Sequence, residues 1–140
     1  MKPANPRTRA RSWVLQVLYG WDTTGDGSLR AWAHDALAGR RLSSRYRPYV
    51  EQLLTALEEH LPECDRRIES SMPNWRLERL AAIDRNILRI GAVEMLCVDD
   101  VPHRVAIHEA IRLAERYGSD DSPAFVNGVL DGMSRAISGS

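Results

Sequence analysis

The residues able to perform acid–base or metal chemistry follow no familiar catalytic motif in this chain. His103 and His108 come nearest to a metal-ligating pair, but five residues on a helix separate them by about 140°. The pair His108-Glu109 lacks the second histidine that an HExxH zinc site needs. No GxSxG nucleophile elbow occurs, and Gly25 and Gly27 are not followed by the GK[ST] of a phosphate-binding loop. We therefore predict no enzyme activity, no metal site and no cofactor.

Basic residues cluster at the N-terminus, although the whole chain is neutral, with 19 basic and 19 acidic side chains. Lys2, Arg7, Arg9 and Arg11 all precede the first acid, Asp22. On a helix, Arg7 and Arg11 share a face beside the following apolar stripe, while Arg9 lies on the far side. Guanidinium groups presented in this way bind the phosphates of nucleic acids. Solvation of an ordinary surface helix is the competing interpretation.

A polar turn near the C-terminus, from Arg116 to Phe125, gathers a second set of groups suited to nucleic acid. Tyr117 and Phe125 are able to stack on unpaired bases, and Asp121 is able to accept a hydrogen bond from an exocyclic amine. Both aromatics also fit the core stripes of their helices, and Asp121 also fits a helix cap. The residues alone leave these alternatives open.

Helices must position these groups, because apolar residues recur with helical spacing throughout the chain. The clearest stripe comprises Val50, Leu53, Leu54, Leu57 and Leu61. Breaks at 23–28, 39–44 and 99–102 separate the stripes, and we interpret Pro62 and Pro73 as places where a helix starts or stops. Gly118 fits a helix C-cap, and Ser122-Pro123 fits an N-cap with proline in the first turn. The pattern predicts a compact all-α bundle of about seven helices.

The helix that contains the apolar seam of Leu80, Ile83, Ile87 and Ile90 also contains two irregular residues. Glu94 stands where an apolar residue is expected, so its carboxylate needs a partner, which we predict to be an arginine. Gly91 costs a helix about 1 kcal/mol relative to alanine. We therefore predict that another helix crosses closely at Gly91.

Length and composition predict one domain over residues 1–140, with a basic arm at 1–11 and a loose tail at 138–140. Cys64 and Cys97 have no CxxC spacing, which predicts two reduced thiols. The chain has neither an apolar run of the ~20 residues that span a bilayer nor an apolar secretory segment. We therefore expect a cytoplasmic protein.

Three segments of the chain resemble the NusB family of bacterial transcription antitermination factors. They are Arg7–Asp22 (RTRARSWVLQVLYGWD), Asn74–Met95 (NWRLERLAAIDRNILRIGAVEM) and Val105–Asp131, which contains EAIRLAERYG and FVNGVLD. The order and separation of the three segments make the resemblance specific. Thr8 interrupts the arginine run typical of the family, while Val93 and His108 replace a common aromatic and a common asparagine.

The resemblance implies an all-α fold of two packed sub-bundles and a protein that binds RNA without catalysis. Family members bind the single-stranded boxA signal of nascent RNA together with the ribosomal protein NusE. They join the RNA polymerase elongation complex and promote processive transcription of ribosomal RNA operons. Some members self-associate, and the sequence leaves the possible homodimer open.

The resemblance also assigns roles to individual residues of this chain. It implies that Asp84 faces NusE. The RNA side would comprise Lys2, Arg7, Arg9, Arg11, Tyr19, Tyr117, Gly118, Asp121 and Phe125.

Two other functions compete with an antitermination factor. The chain is also similar to the NusB-like domain in front of some RNA cytosine methyltransferases, and would then be a non-catalytic recognition module. A bundle that binds only proteins, with its arginines as surface solvation, is the third interpretation.

Overall fold

The computed structural model describes residues 5–25 and 27–139, which form six α-helices and one short 3₁₀ turn. The helices are α1 (Pro6–Thr24), α2 (Leu29–Leu37), α3 (Arg47–Ser70), α4 (Ala82–Cys97), α5 (His103–Tyr117) and α6 (Ser122–Ser138), and the 3₁₀ turn is Leu77–Arg79. No strand occurs within these described ranges. The all-α prediction is confirmed, with one α-helix fewer than the approximate number expected.

The helices form two sub-bundles that share α4 as their common element. The first three helices contact one another, as do the last three, and α4 also contacts both α1 and α3. Because neighbours cover it on several sides, every residue of α4 from Asn86 to Met95 is buried. The two packed sub-bundles that the resemblance implied are therefore present.

Local capping explains where several of these helices begin. The Asn5 Oδ1 atom accepts a hydrogen bond from the Arg7 backbone N–H at 2.8 Å, and Pro6 occupies the first turn of α1. Ser28 caps α2 in the same way, accepting from the Ala31 N–H at 3.1 Å. The predicted breaks at 39–44 and 99–102 are confirmed as connections between helices, and the break predicted at 23–28 begins two residues too early, because α1 continues through Thr24.

The boundary predicted at Pro62 is wrong, because α3 runs through this proline to Ser70. Proline lacks the N–H that would bond to the carbonyl one turn earlier, which disfavours a helix interior. The apolar stripe nevertheless continues beyond it, with Cys64 and Ile68 fully buried against the core. Burial of this stripe keeps the two halves of α3 in one helix.

The two cysteines are free thiols, as predicted. Burial raises the pKa of Cys64 to about 12, so this thiol stays protonated and poorly nucleophilic. The described residues contain no cluster of side chains able to hold a metal ion. None of the described helices is long and apolar enough to cross a membrane.

The close crossing predicted at Gly91 is confirmed, and its partner is α6. A Cβ atom built on Gly91 would lie 2.6 Å from the Leu130 Cδ1 atom. Leu130 is itself fully buried, so its side chain has little room to move aside. The glycine thus sets the distance between α4 and α6.

We predict that Gly91→Ala lowers the free energy of unfolding by about 1–3 kcal/mol, because the added methyl group overpacks the crossing. Gly128→Ala in α6 is the matched control, since a Cβ atom there has no neighbour within 4 Å. The control should raise the free energy of unfolding by up to about 1 kcal/mol through helix propensity. Urea unfolding measures both, and a stabilising Gly91→Ala would contradict the tight crossing.

Candidate functional site

The three N-terminal arginines of the described chain lie on α1 and face in two directions. Arg7 and Arg11 share one face, as their spacing predicts, and this face turns toward α3, α4 and α5. Arg9 lies on the other side and is exposed. Lys2, the remaining basic residue of the predicted arm, lies outside the described residues.

Arg11 is the centre of a buried charged cluster that joins four helices. Only 3% of Arg11 is exposed, and its Nε atom donates to both carboxylate oxygens of Glu94, at 2.8 and 3.0 Å. The Nη1 atom lies 3.4 Å from Glu109 Oε1, and the Tyr49 hydroxyl donates to Glu94 from α3. The arginine partner predicted for Glu94 is therefore confirmed, as is its structural role.

Burial sets the protonation of this cluster. Desolvation raises the pKa of Glu94, while the nearby Arg11 charge and the Tyr49 hydrogen bond oppose that shift. Burial also raises the pKa of Tyr49, and the Glu94 charge raises it further. Tyr49 therefore remains a neutral hydrogen-bond donor at physiological pH, when the carboxylate of Glu94 needs that donor.

Arg7 and Thr8 extend the same cluster to the surface. Arg7 donates from Nη1 and Nη2 to the two carboxylate oxygens of Asp100, at 3.3 and 2.9 Å, and its guanidinium lies 4.3 Å from the Tyr49 ring centroid. The Thr8 hydroxyl donates to Glu109 at 2.8 Å. Thr8, which departs from the arginine run typical of the family, thus secures α1 to α5.

Because of these contacts, not all of the N-terminal arginines predicted for the RNA side are free to bind RNA. Arg11 is inside the protein, because its guanidinium neutralises two carboxylates that would otherwise be buried without a cation. Arg7 is partly occupied by its ion pair with Asp100, and the hydrogen bonds from Arg7 lower the pKa of the Asp100 carboxyl group. Arg9 is the arginine of this set whose side chain faces solvent.

Ser122 holds the C-terminal turn in place through hydrogen bonds, but it is not the N-cap of α6. The first helical residue of α6 is Ser122, so Asp121 occupies the N-cap position without a side-chain cap bond. The Ser122 hydroxyl accepts from the Ser119 N–H at 3.0 Å and donates to Asp84 of α4 at 2.6 Å. One of these hydrogen bonds closes the turn on itself, and the other joins it to the start of α4.

Gly118 leaves room for this arrangement. A Cβ atom on Gly118 would lie 2.5 Å from the Ser122 Oγ atom and 2.9 Å from the Ala114 carbonyl oxygen. Any larger residue at this position would push Ser122 away from Asp84. The glycine therefore serves the shape of the turn, and Gly118 ends α5 as its sequence position predicts.

Side chains that could contact a ligand project from the same turn. Asp121 is exposed, and Phe125 is half-buried beside Trp75, with ring centroids 6.0 Å apart in an edge-on arrangement. Trp75 was not among the residues predicted for the RNA side, and 58% of it is exposed. Its signal was a tryptophan outside every apolar stripe, in the segment that precedes the 3₁₀ turn.

The fold brings the two predicted halves of the site together. Arg9 of α1 and Tyr117 at the end of α5 line one groove between these helices. Tyr19, which is 42% exposed, lies on α1 three residues beyond Gln16, another residue of that groove. Asp84 lies half-buried beneath the turn, where it accepts the Ser122 hydrogen bond.

Comparison with known proteins identifies the relatives of this chain. The model of the NusB family matches residues 8–135. The transcription antitermination protein NusB of Sorangium cellulosum is 48% identical over 127 residues, which cover 89% of each chain. The protein of the same name from Desulfosudis oleivorans is 39% identical over 136 residues, covering 96% of this chain and 88% of the relative.

Solved structures show the same similarity. NusB of T. maritima aligns with a TM-score of 0.84 at 31% identity, over 96% of this chain and 93% of that one. A chain from the crystal structure of antitermination factors NusB and NusE in complex with dsRNA aligns with a TM-score of 0.80 at 25% identity. That alignment covers 96% of this chain and 99% of the other.

We predict that Arg11→Met lowers the free energy of unfolding by about 3–5 kcal/mol at neutral pH, because Glu94 and Glu109 then lose their buried cation. Without Arg11 the pKa of Glu94 rises further, so the folded state binds protons that the unfolded state releases. The loss should therefore shrink as the pH is lowered. Arg47→Met, which removes an exposed pair with Glu51, should cost less than about 1 kcal/mol. Equal losses in denaturant titrations would contradict the role of the cluster.

Ser122→Ala should lower the free energy of unfolding by about 1.5–3 kcal/mol, because Asp84 loses its hydrogen-bond donor and the Ser119 N–H its acceptor. It should also speed hydrogen exchange of the Ser119 amide. Ser44→Ala, which removes an exposed hydroxyl in the connection before α3, should stay within about 0.5 kcal/mol of the parent. Parental exchange at the Ser119 amide in Ser122→Ala would show that Ser122 does not hold the turn.

Proposed function

This chain belongs to the NusB family, and we propose that it is a non-catalytic transcription antitermination factor that binds single-stranded, boxA-like RNA together with NusE. The observation that carries this proposal is the groove between α1 and α5. Arg9, from the basic N-terminus, and Tyr117, from the C-terminal turn, line this same groove. Two features distant in sequence thereby become one surface with both cationic and stacking groups.

The two halves of this surface suit different parts of an RNA strand. Arg9 is free to approach phosphates, a contact that strengthens binding without reading sequence. Tyr117, Tyr19 and the Trp75–Phe125 edge offer rings to unstacked bases, and the exposed Asp121 carboxylate can accept from an exocyclic amine. Preference for boxA would then come mainly from the turn.

The contact with NusE is proposed from Asp84 and from the similar chain in a complex of NusB, NusE and dsRNA. Asp84 accepts a hydrogen bond of 2.6 Å from Ser122, the residue that holds the turn. A partner that contacts Asp84 at the start of α4 would therefore contact a residue bonded directly to the turn. Binding of the partner could therefore tighten RNA binding by restricting the turn. This coupling requires no large movement of the helices.

The wider role follows from the family and belongs to the same proposal. The RNA and NusE complex would join the RNA polymerase elongation complex in the cytoplasm and favour processive transcription of ribosomal RNA operons. Both relatives compared above carry the antitermination name, which favours this function over a detached recognition module of RNA cytosine methyltransferases.

The test is fluorescence anisotropy with a labelled boxA-like single-stranded RNA and a scrambled RNA of equal length. Each RNA is titrated with the protein alone and with NusE, at two salt concentrations. We expect tighter binding to the boxA-like RNA and a further increase in affinity with NusE. Equal, weak binding to both RNAs that disappears at the higher salt concentration would contradict the proposed function.

Two substitutions should separate the phosphate contact from the base contact. Arg9→Gln should weaken binding to both RNAs by a similar factor and flatten the salt dependence, because one phosphate contact is lost. Asp121→Ala should mainly reduce the ratio between the boxA-like and scrambled affinities, by roughly tenfold. If both variants bind like the parent protein, the residue assignment fails even where RNA binding is real.

A further inference from the structure

We infer that Arg112 and Arg116 of α5, together with Arg9 of α1, bind the sugar–phosphate backbone of single-stranded RNA in the α1–α5 groove. This inference rests on the proposed function and extends it to two arginines for which neither the sequence motifs nor the comparisons assign a role. Both arginines line the groove, and four residues separate them on α5, so they project from the same helix face.

Side chains of α1 and α5 line the groove together, although the backbones of the two helices come close at few positions. Thr8 near the start of α1 bonds to Glu109, and Gln16 further along α1 lines the groove together with Tyr117 at the end of α5. The groove therefore follows the two helices from Arg9 toward the C-terminal turn. Seven residues of α1 separate Arg9 from Gln16, a distance of about 10 Å along the helix.

The charged side chains that line this groove are all positive. Its lining contains the three arginines and no carboxylate, and its volume is about 240 Å³. Within residues 5–25 and 27–139, no ion pair holds Arg9 or Arg116. Arg112 approaches Glu109 only at 4.0 Å, and that carboxylate is already bonded to Thr8 and Arg11.

Acidic side chains lie beside the groove rather than within it. Glu109 and Glu115 line a neighbouring recess that shares Arg112 and Arg116. Glu109 is turned toward the buried cluster, so its charge is largely balanced by Arg11. The arginines therefore present unbalanced positive charge on the side of the groove that faces Arg9.

The other groups in the groove favour an RNA backbone over an acidic protein. Ser12 and Gln16 supply a hydroxyl and an amide, which suit phosphate oxygens and the ribose 2′-hydroxyl. Tyr117 closes the end nearest the turn with an aromatic ring, and the Arg116 guanidinium lies 5.4 Å from the centroid of that ring. Bases stack on aromatic rings and on guanidinium planes alike. A strand lying in the groove would thus lead directly to the turn proposed to read bases.

The experiment compares three double variants by salt-dependent RNA binding. Arg112→Gln with Arg116→Gln removes both charges, while Arg112→Lys with Arg116→Lys keeps them. Arg41→Gln with Arg45→Gln is the matched control, since both residues are exposed between α2 and α3 and neither lines the groove. Thermal unfolding confirms that each variant is folded before binding is measured.

With Arg112→Gln and Arg116→Gln we expect the slope of log K against log[salt] to become shallower by about 1.4, or about 0.7 for each phosphate lost. Affinity at low salt should fall roughly tenfold for the boxA-like and the scrambled RNA alike. The lysine pair should retain most of the parental slope, and the control pair should retain all of it.

An unchanged slope in the glutamine pair would overturn the inference. So would a loss of NusE binding with RNA affinity intact, because that result would assign the arginines to an acidic protein surface. Failure of the proposed function is a separate result, namely a parent protein that does not prefer boxA-like RNA even with NusE. In that case too, the salt slope measured on the scrambled RNA tests whether Arg112 and Arg116 contact phosphates in the groove.

Discussion

A guanidinium buried among carboxylates is the interaction on which the rest of this structure depends. Glu94 sits at the centre of the bundle with 1% of its surface exposed, where an unpaired charge would be prohibitively unfavourable. Arg11 satisfies it, and also reaches Glu109, while Tyr49 supplies a neutral donor from α3. These contacts fix the rotation of α1 about its own axis. With that rotation fixed, Arg9 faces outward and lines the groove that α1 forms with α5.

The second constraint is that α4 is bonded to helices of both sub-bundles. Near one end of α4, Glu94 accepts a hydrogen bond from Arg11 of α1, and near the other end Asp84 accepts one from Ser122 of α6. Between them, Gly91 allows α6 to approach within van der Waals contact through Leu130. The groove and the turn are both surface features, but their relative position is set by a helix that is buried from Asn86 to Met95.

Much of this arrangement is predictable from the sequence, and the exceptions share a cause. Helical periodicity predicted the fold class, and two irregular residues of one helix, Gly91 and Glu94, predicted a close crossing and an arginine partner. Periodicity also placed Arg9 on the opposite face from Arg7 and Arg11, but it could not say which of these two pairs with Glu94 until the packing of α1 is known. The Pro62 boundary failed because a local rule was outweighed by burial of the apolar stripe on both sides of the proline.

The pairing of α1 with distant partners also determines when the molecule can finish folding during synthesis. The acceptors of Arg11 and Thr8 lie 83 and 101 residues later in the chain. At about 5–20 residues per second, a ribosome needs about 5–20 s to add the longer of these segments. Throughout that interval α1 lacks the carboxylates that fix its orientation, so its apolar face and its groove face are equally open to solvent. The nascent chain therefore completes the α1–α5 groove only after α5 is made, although α1 forms one wall of it.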